Sequence, residues 1–260
     1  METAALTTCH KAPDERQTDG NVMIGCIEIF PDPATLARHV AKWITSAALA
    51  AKDTFRISLS GGSTPKTLYG LLASDEFRNR FPWQLVSWYF GDERLVPYDN
   101  PESNYRMVRE AMFAKAPVPL ENIHPVPVDG SPEDAAQRYE RTLQQAYGTN
   151  ILDPARPLFD VTLLGLGPDG HTASLLPGEA VLEERNRWVA AVSHGRPEVR
   201  ITMTYPVIES SRRVAFLVTG GEKEAIFRDI RGGDSQVPAA RVRPAGELFW
   251  FVDRDAAGES

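Results

Sequence analysis

FDVTLLGLGPDGHTASLLPG, Phe159–Gly178, is the stretch whose reading decides the fold. Phe159 to Leu164 is mostly apolar and β-prone, which suits a strand covered on both faces. Gly165, Gly167, Pro168 and Gly170 then break it. Asp169 and His171 stand in the turn that follows, where glycines let a ligand approach the backbone and where open α/β sheets gather their sites. Taken alone, the same turn also reads as a glycine-rich loop with an exposed histidine. The segments on either side of it weigh against that plainer reading.

Outward from this strand, the chain alternates. Cys26–Phe30 reads as a strand, and Asp32 with Pro33 caps and opens a helix to about Ala51. Phe55–Ser60 is a strand, and Thr64 with Pro65 repeats the cap signal for a helix to Leu72. Leu85–Phe90 is strand, Ser103–Phe113 helix and Pro132–Tyr147 helix, with the proline-rich Ala116–Pro132 as a surface loop. Beyond the central strand come strands near Trp188–Val192, Val199–Thr204 and Val214–Thr219, a helix at Glu222–Ile230 and a last strand at Leu248–Val252. Such alternation predicts an α/β fold, a mainly parallel sheet with helices on both faces, formed by one domain over residues 22–260. Met1–Asn21 is polar and without period, a flexible N-terminal leader on this reading.

The composition limits the function. At 260 residues with 42% hydrophobic side chains the chain can bury a large core, and a net charge of −7 argues against nucleic acid or a membrane surface as partner. No apolar run approaches the roughly 18 residues of a membrane span, and Met1–Gly20 lacks the apolar stretch of a signal peptide, so the expected location is the cytoplasm. The two cysteines, Cys9 and Cys26, indicate neither a disulfide framework nor a thiolate metal site. No HExxH or His/Cys ligand spacing occurs, so no metal is expected, and Ser174 lies in no GxSxG elbow. His39 falls on a predicted helix, His124 and His194 in loops and His10 in the leader, and all four read as structural or surface residues. Trp43, Trp83, Trp88, Trp188 and Trp250 lie in or beside apolar elements and read as core or rim.

Three further strand ends carry chemistry-bearing residues. SLSGGSTP, Ser58–Pro65, joins strand to helix: Gly61 and Gly62 permit close approach, Ser63 and Thr64 add hydroxyls, and unpaired helix N–H groups favour a phosphate. It is neither a Walker loop nor a dinucleotide fingerprint, and a tight turn capped by Thr64 is its plain alternative. VSWYFGDERLVP, Val86–Pro97, sets Asp92, Glu93 and Arg94 after a glycine; Arg94 either grips phosphate oxygens or forms a surface salt bridge. AFLVTGGEK, Ala215–Lys223, places Lys223 in a first helical turn, where a cation opposes the helix dipole unless an anion accompanies it.

In this order, SLSGGSTP, FGDERLVP with SNYRM, LLGLGPDGHTASLLPG, RITMTYPVI, VTGGEK and PAARVRP resemble the 6-phosphogluconolactonases over about Cys26 to Val252. That family shares a superfamily and a Rossmann-like fold with glucosamine-6-phosphate deaminase. The resemblance implies hydrolysis of 6-phospho-D-glucono-1,5-lactone to 6-phospho-D-gluconate in the oxidative pentose phosphate pathway, a carboxylic ester hydrolysis that needs no cofactor. His171 is assigned as the general base that activates water, with Asp169 orienting it or shaping the turn. Backbone N–H groups of the Gly165–Gly170 loop are the expected oxyanion donors. Gly61, Gly62, Ser63, Thr64, Arg94 and Lys223 are implied to hold the phosphate, Arg200 to be a further family arginine, and Asp92 to serve substrate hydroxyls or lock Arg94. The expected partner is this small sugar-phosphate lactone alone, bound by a monomer or small homo-oligomer.

Two other functions compete. A sugar-phosphate isomerase or deaminase acting on glucosamine 6-phosphate would use the same cradle, but its loop resembles DGHIAFNEP, with a glutamate where this chain has Leu176. A non-catalytic sugar-phosphate sensor of this fold usually carries a DNA-binding segment ahead of the sugar domain, and Met1–Asn21 is too short to hold one.

Overall fold

The computed structural model describes residues 6–9, 25–193 and 198–259. Its strands are β1 (Leu6–Cys9), β2 (Cys26–Phe30), β3 (Phe55–Leu59), β4 (Val86–Phe90), β5 (Asp92–Arg94), β6 (Val161–Gly165), β7 (Val189–Val192), β8 (Arg200–Met203), β9 (Arg213–Val218) and β10 (Glu247–Asp253). Its α-helices are α1 (Pro33–Leu49), α2 (Ser63–Leu72), α3 (Asn104–Val108), α4 (Pro132–Tyr147), α5 (Tyr205–Glu209), α6 (Glu224–Arg231) and α7 (Arg254–Ala257). His10 and His194 lie outside the described residues.

The main sheet has the order β1-β2-β10-β9-β6-β3-β4. Six of its strands run parallel, and β1 joins the edge antiparallel, pairing Leu6–Cys9 with Cys26–Ile29. That strand lies inside the polar N-terminal stretch read as leader. Cys26 faces Cys9 in the strand register, and Cys26 is disulfide-bonded, a bridge that the cysteine count did not point to. From β3 the chain moves outward to β4, then returns to lay β6 on the other side of β3 and continues through β9 to β10. The direction of winding therefore reverses between β3 and β6, and neighbouring loops leave the sheet to opposite sides there. A crevice opens at such a point, at the carboxyl ends of the strands.

Sequence and local structure agree closely along the parallel sheet. Asp32 caps α1 as expected, accepting the Thr35 N–H at 2.7 Å, a contact that holds its carboxyl below the usual range and contributes about 1 kcal/mol. Ser131 does the same for α4, and Gly148 ends that helix in the left-handed region. The core follows the apolar strands: Trp88 and Trp250 are fully buried, and Phe216 stacks on Trp250 with centroids 3.9 Å apart. Trp83 and Trp188 are buried and Trp43 packs edge-on against Phe249 and Phe251, as the core-or-rim reading expects. His39 pairs with Glu28 and His124 stacks on Tyr89, away from the crevice residues.

Besides β1, three elements depart from the sequence reading. Thr64 is not the cap of α2; Gly62 is, at φ +106°, because only that backbone swings the chain from β3 into the helix without a side-chain penalty. The helix read at Ser103–Phe113 is α3 followed by a π-helical turn at Arg109–Phe113. The strands read near residues 188–204 do not join the parallel sheet. They form, with β5, a separate three-stranded antiparallel sheet of order β5-β8-β7, against which α4 packs.

Candidate active site

A cavity of about 260 Å³ occupies the crevice, walled by the ends of β3, β5, β6, β8 and β9. Gly61, Gly62, Ser63, Thr64, Asp92, Arg94, His171, Arg200 and Lys223 all line it. Asp169, the remaining predicted residue, reaches the cavity through His171. The segments after β3, β6 and β9 converge because parallel strands point their carboxyl ends the same way, and the antiparallel β5–β8 pair adds Asp92, Arg94 and Arg200.

The cradle at the end of β3 is held from beneath. Tyr69 of α2 is fully buried, and its hydroxyl accepts the Ser60 N–H at 2.9 Å and donates to the Ser60 carbonyl at 2.8 Å. Burial pushes this phenol far above its ordinary range, so it stays a neutral two-way hydrogen-bonding pin. Past that pin, Ser63 and Thr64 begin α2 with their N–H groups free of intrahelical partners. The Thr64 and Thr219 hydroxyls meet at 2.7 Å and tie this loop to the end of β9. Lys223 follows at the rim, its ammonium 3.9 Å from the Glu222 carboxylate.

The histidine turn is closed by its own backbone. The Gly167 N–H donates to the His171 carbonyl at 2.8 Å and the Gly170 N–H to the Gly167 carbonyl at 3.0 Å. Both glycine donors are thereby occupied within the turn, so of the loop N–H groups expected to serve an oxyanion these two are already engaged. His171 Nδ1 is hydrogen-bonded to Asp169 Oδ1, which also accepts the His171 N–H at 3.2 Å. Burial raises the Asp169 carboxyl, but these His171 contacts outweigh it and hold the group below its ordinary range. Asp169 therefore orients the ring and shapes the turn together. A Cβ on Gly167 would sit 2.0 Å from His171 Nδ1, which explains a glycine there: the ring lies directly on the backbone. From outside, the Ala239 N–H of the PAARVRP segment donates to the Gly170 carbonyl at 2.9 Å.

Beyond the ring, Ala173 is the one non-glycine among the described residues with positive φ, at +46°. The strained residue, an observation that marks functional sites at a cost of order 1 kcal/mol, turns the chain so that buried Ser174 reaches Asp92. Ser174 Oγ donates to Asp92 Oδ2 at 2.6 Å, and the Ser174 N–H donates to Thr202 Oγ1 at 3.2 Å. Ser174 is thus a support for Asp92 and not a nucleophile.

Asp92 does not lock Arg94 directly. Asn104 stands between them: its Nδ2 donates to the Asp92 carbonyl at 2.9 Å and to Asp92 Oδ1 at 3.3 Å, while Arg94 donates to Asn104 Oδ1 at 2.8 Å and to the Glu102 carbonyl at 2.9 Å. Glu93 is buried beside them and accepts the N–H groups of Arg94, Asn104 and Tyr105 at 2.7–2.8 Å. Burial pushes its carboxyl up despite those donors. Across the small sheet, Arg94 and Arg200 are direct register partners. This register places two cations side by side at the cavity.

The sequence reading missed Asn104, Thr219, Glu222 and the supporting role of Ser174. All lie within segments it quoted, SNYRM, VTGGEK and DGHTAS, but their partners are brought together only by the fold. Among the described residues no group of three His, Cys, Asp or Glu side chains clusters as metal ligands do.

Residues 31–250 match the family of glucosamine-6-phosphate isomerases/6-phosphogluconolactonase. A 6-phosphogluconolactonase of Nostoc sp. is 38% identical over 241 residues, covering 90% of this chain and 97% of the relative. The solved 6-phosphogluconolactonase from Trypanosoma cruzi superimposes with a TM-score of 0.77 at 31% identity, over 89% of this chain and 95% of that one. A monomeric glucosamine-6-phosphate deaminase superimposes with a TM-score of 0.75 over 90% of this chain and 99% of its own, at 20% identity, a likeness of fold alone.

Proposed function

Since the chain belongs to the glucosamine-6-phosphate isomerase/6-phosphogluconolactonase family, we infer that it hydrolyses 6-phospho-D-glucono-1,5-lactone to 6-phospho-D-gluconate in the oxidative pentose phosphate pathway. The observation that carries the choice of lactonase over deaminase is Leu176. It stands where the deaminase loop has its glutamate, it is 4% exposed, and an apolar side chain relays no proton.

We assign the proton transfers to His171. With Nδ1 engaged by Asp169, the imidazole carries its proton there and presents the Nε2 lone pair as base. Nε2 takes a proton from water as the water oxygen bonds to C1 of the lactone, and the carbonyl electrons move onto oxygen. Collapse of this tetrahedral species breaks the bond from C1 to the ring oxygen, which leaves with the proton that the imidazolium returns. Asp169 stabilises the imidazolium between the two transfers.

The far end of the substrate is assigned to the cradle. The Gly61–Thr64 segment, Arg94 and Lys223 hold the 6-phosphate, with Arg200 as a further cation beside Arg94. Asp92 acts through Asn104 and Ser174, which occupy its carboxylate oxygens. No helix among the described residues is long and apolar enough to cross a membrane. A cytoplasmic monomer or small homo-oligomer, acting on a small sugar phosphate without a nucleic-acid partner, completes the reading. Its test compares three substrates: the phosphorylated lactone, glucono-1,5-lactone without phosphate, and glucosamine 6-phosphate. The first should be strongly preferred, and ammonia release from the third would move the assignment to the deaminase side of the family.

A further inference from the structure

We propose that Asn104 is a positioning residue, a neutral spacer that fixes the Arg94 guanidinium at the cavity wall while keeping its charge unspent for the substrate phosphate. The inference rests on the reading of Arg94 as a phosphate ligand and goes beyond it to ask what keeps that ligand competent.

The geometry is specific. Asn104 is almost fully buried and divides its amide between two opposite charges, Nδ2 toward Asp92 and Oδ1 toward Arg94. The two acceptors of the Arg94 guanidinium, Asn104 Oδ1 and the Glu102 carbonyl, are both neutral. Among the described residues no carboxylate lies within ion-pair distance of Arg94, although Asp92, Glu93 and Glu102 are all near it in sequence. Arg94 Nε is buried and lacks a hydrogen-bond partner among the described residues. A cation held by dipoles keeps its full attraction for an incoming dianion, whereas one already paired with a carboxylate must break that pair or share its charge.

Asn104 is itself held in place. Its N–H donates to Glu93 Oε1 at 2.7 Å, while Glu93 Oε2 takes the Tyr105 N–H at 2.8 Å and the Ser103 hydroxyl at 3.1 Å. These contacts fasten the first turn of α3 to the middle of β5. On its other side Asn104 touches the phosphate cradle: a Cβ on Gly61 would fall 2.1 Å from Asn104 Oδ1. One buried amide therefore sets the spacing between the cradle, the cation and Asp92.

The distinguishing substitution is Asn104→Asp, which preserves shape and converts the spacer into an anion. The new carboxylate would pair with Arg94 and oppose Asp92. A double variant, Asn104→Asp with Asp92→Asn, restores a side-chain amide-to-carboxylate hydrogen bond in the reverse direction and removes the repulsion between the two carboxylates, though the main-chain carbonyl of residue 92 still loses its donor, and it leaves Arg94 paired. Titration calorimetry with 6-phosphogluconate and with gluconate, alongside Tm and lactone kinetics, reads the difference.

Asn104→Asp should weaken 6-phosphogluconate binding by about tenfold or more, the scale of one charge-assisted contact, with little change for gluconate and with KM rising more than kcat falls. The double variant should recover part of the lost Tm without recovering 6-phosphogluconate affinity. Recovery of both together would show that Asn104 serves only the packing of the loop and would overturn the proposal. Arg94→Ala separates the proposal from the reading beneath it. Unchanged phosphate-dependent binding in Arg94→Ala overturns that reading and this inference with it. Parent-like binding in Asn104→Asp beside a weakened Arg94→Ala overturns the inference alone. Should Asn104→Asp fail to fold, the double variant carries the same comparison.

Discussion

Asp169 and His171 are bound to each other twice: one carboxylate oxygen accepts both the ring Nδ1 and the backbone N–H of the histidine two residues on. The side-chain contact sets the face of the imidazole and the main-chain contact sets the turn, so a change at Asp169 perturbs both. His171 is the less exposed of the two, at 21% against 42% for Asp169, which leaves the carboxylate on the solvent side of the ring.

Replacing His171 by alanine should lower kcat by about a hundredfold or more, the usual scale for a positioned acid/base group, with the inhibition constant of 6-phosphogluconate nearly unchanged. Steady-state rates with the variant's near-native circular dichroism as a folding control check this. A well-folded variant with near-normal kcat removes His171 from the chemistry.

Asp169→Asn should reduce kcat less than His171→Ala does, because the ring remains and loses only its orienting partner. The stability effect has a defined pH sign. The Asp169 carboxyl titrates below its ordinary value in the folded protein, so its contribution is complete above the unfolded value and is lost as pH falls through the folded one. Denaturant midpoints of parent and variant should differ most above the ordinary carboxylate range and converge as pH falls below it. A gap that widens on acidification would contradict the ionic role of this contact.

Arg94→Ala and Lys223→Ala should each lower kcat/KM for the phosphorylated lactone by about ten- to a hundredfold, and for the unphosphorylated lactone far less. Parallel kinetics on both lactones decide it. Equal losses would place these cations in folding or in the chemical step instead of phosphate binding.

Leu176→Glu should destabilise the protein and depress lactonase activity, because Leu176 is packed in the core and an unpaired buried carboxylate is costly, on the order of several kcal/mol. Thermal unfolding and lactone turnover measure it. No ammonia release should appear with glucosamine 6-phosphate, since ring opening and enolisation need a carboxylate placed to within about 1 Å. An unchanged Tm would mean that the side chain at this position reaches solvent.

Much of the fold was legible because its signals are local. The apolar runs of β3, β4, β6 and β9, each ended by glycine, and the Asp32 and Ser131 caps announce themselves within a few residues. What the sequence could not reveal is non-local or depends on backbone angles. β5 is three residues long and pairs with β8 more than a hundred positions away, so nothing near Asp92 marks a second sheet. Thr64 looked like a cap by residue type, but the φ of Gly62 moved the cap two residues earlier. The candidate residues His171, Asp169, Arg94 and Lys223 stood out in the sequence because each follows a glycine that breaks a strand, whereas Arg200, the first residue of β8, was marked only by the family resemblance. The amide that joins Asp92 to Arg94 did not stand out, since Asn104 in SNYRM reads as a helix start until the fold sets it beside β5.

Acid release from freshly generated 6-phospho-D-glucono-1,5-lactone, followed against spontaneous hydrolysis, is the most direct measurement of what this cavity does. The parent protein should accelerate release saturably, with kcat/KM in the range of about 10⁴–10⁸ M⁻¹s⁻¹ typical of enzymes on their own substrates. The acceleration should vanish on omitting the protein and fall sharply in His171→Ala. Release by the folded parent protein at only the spontaneous rate would contradict the assignment of this family member as a lactonase.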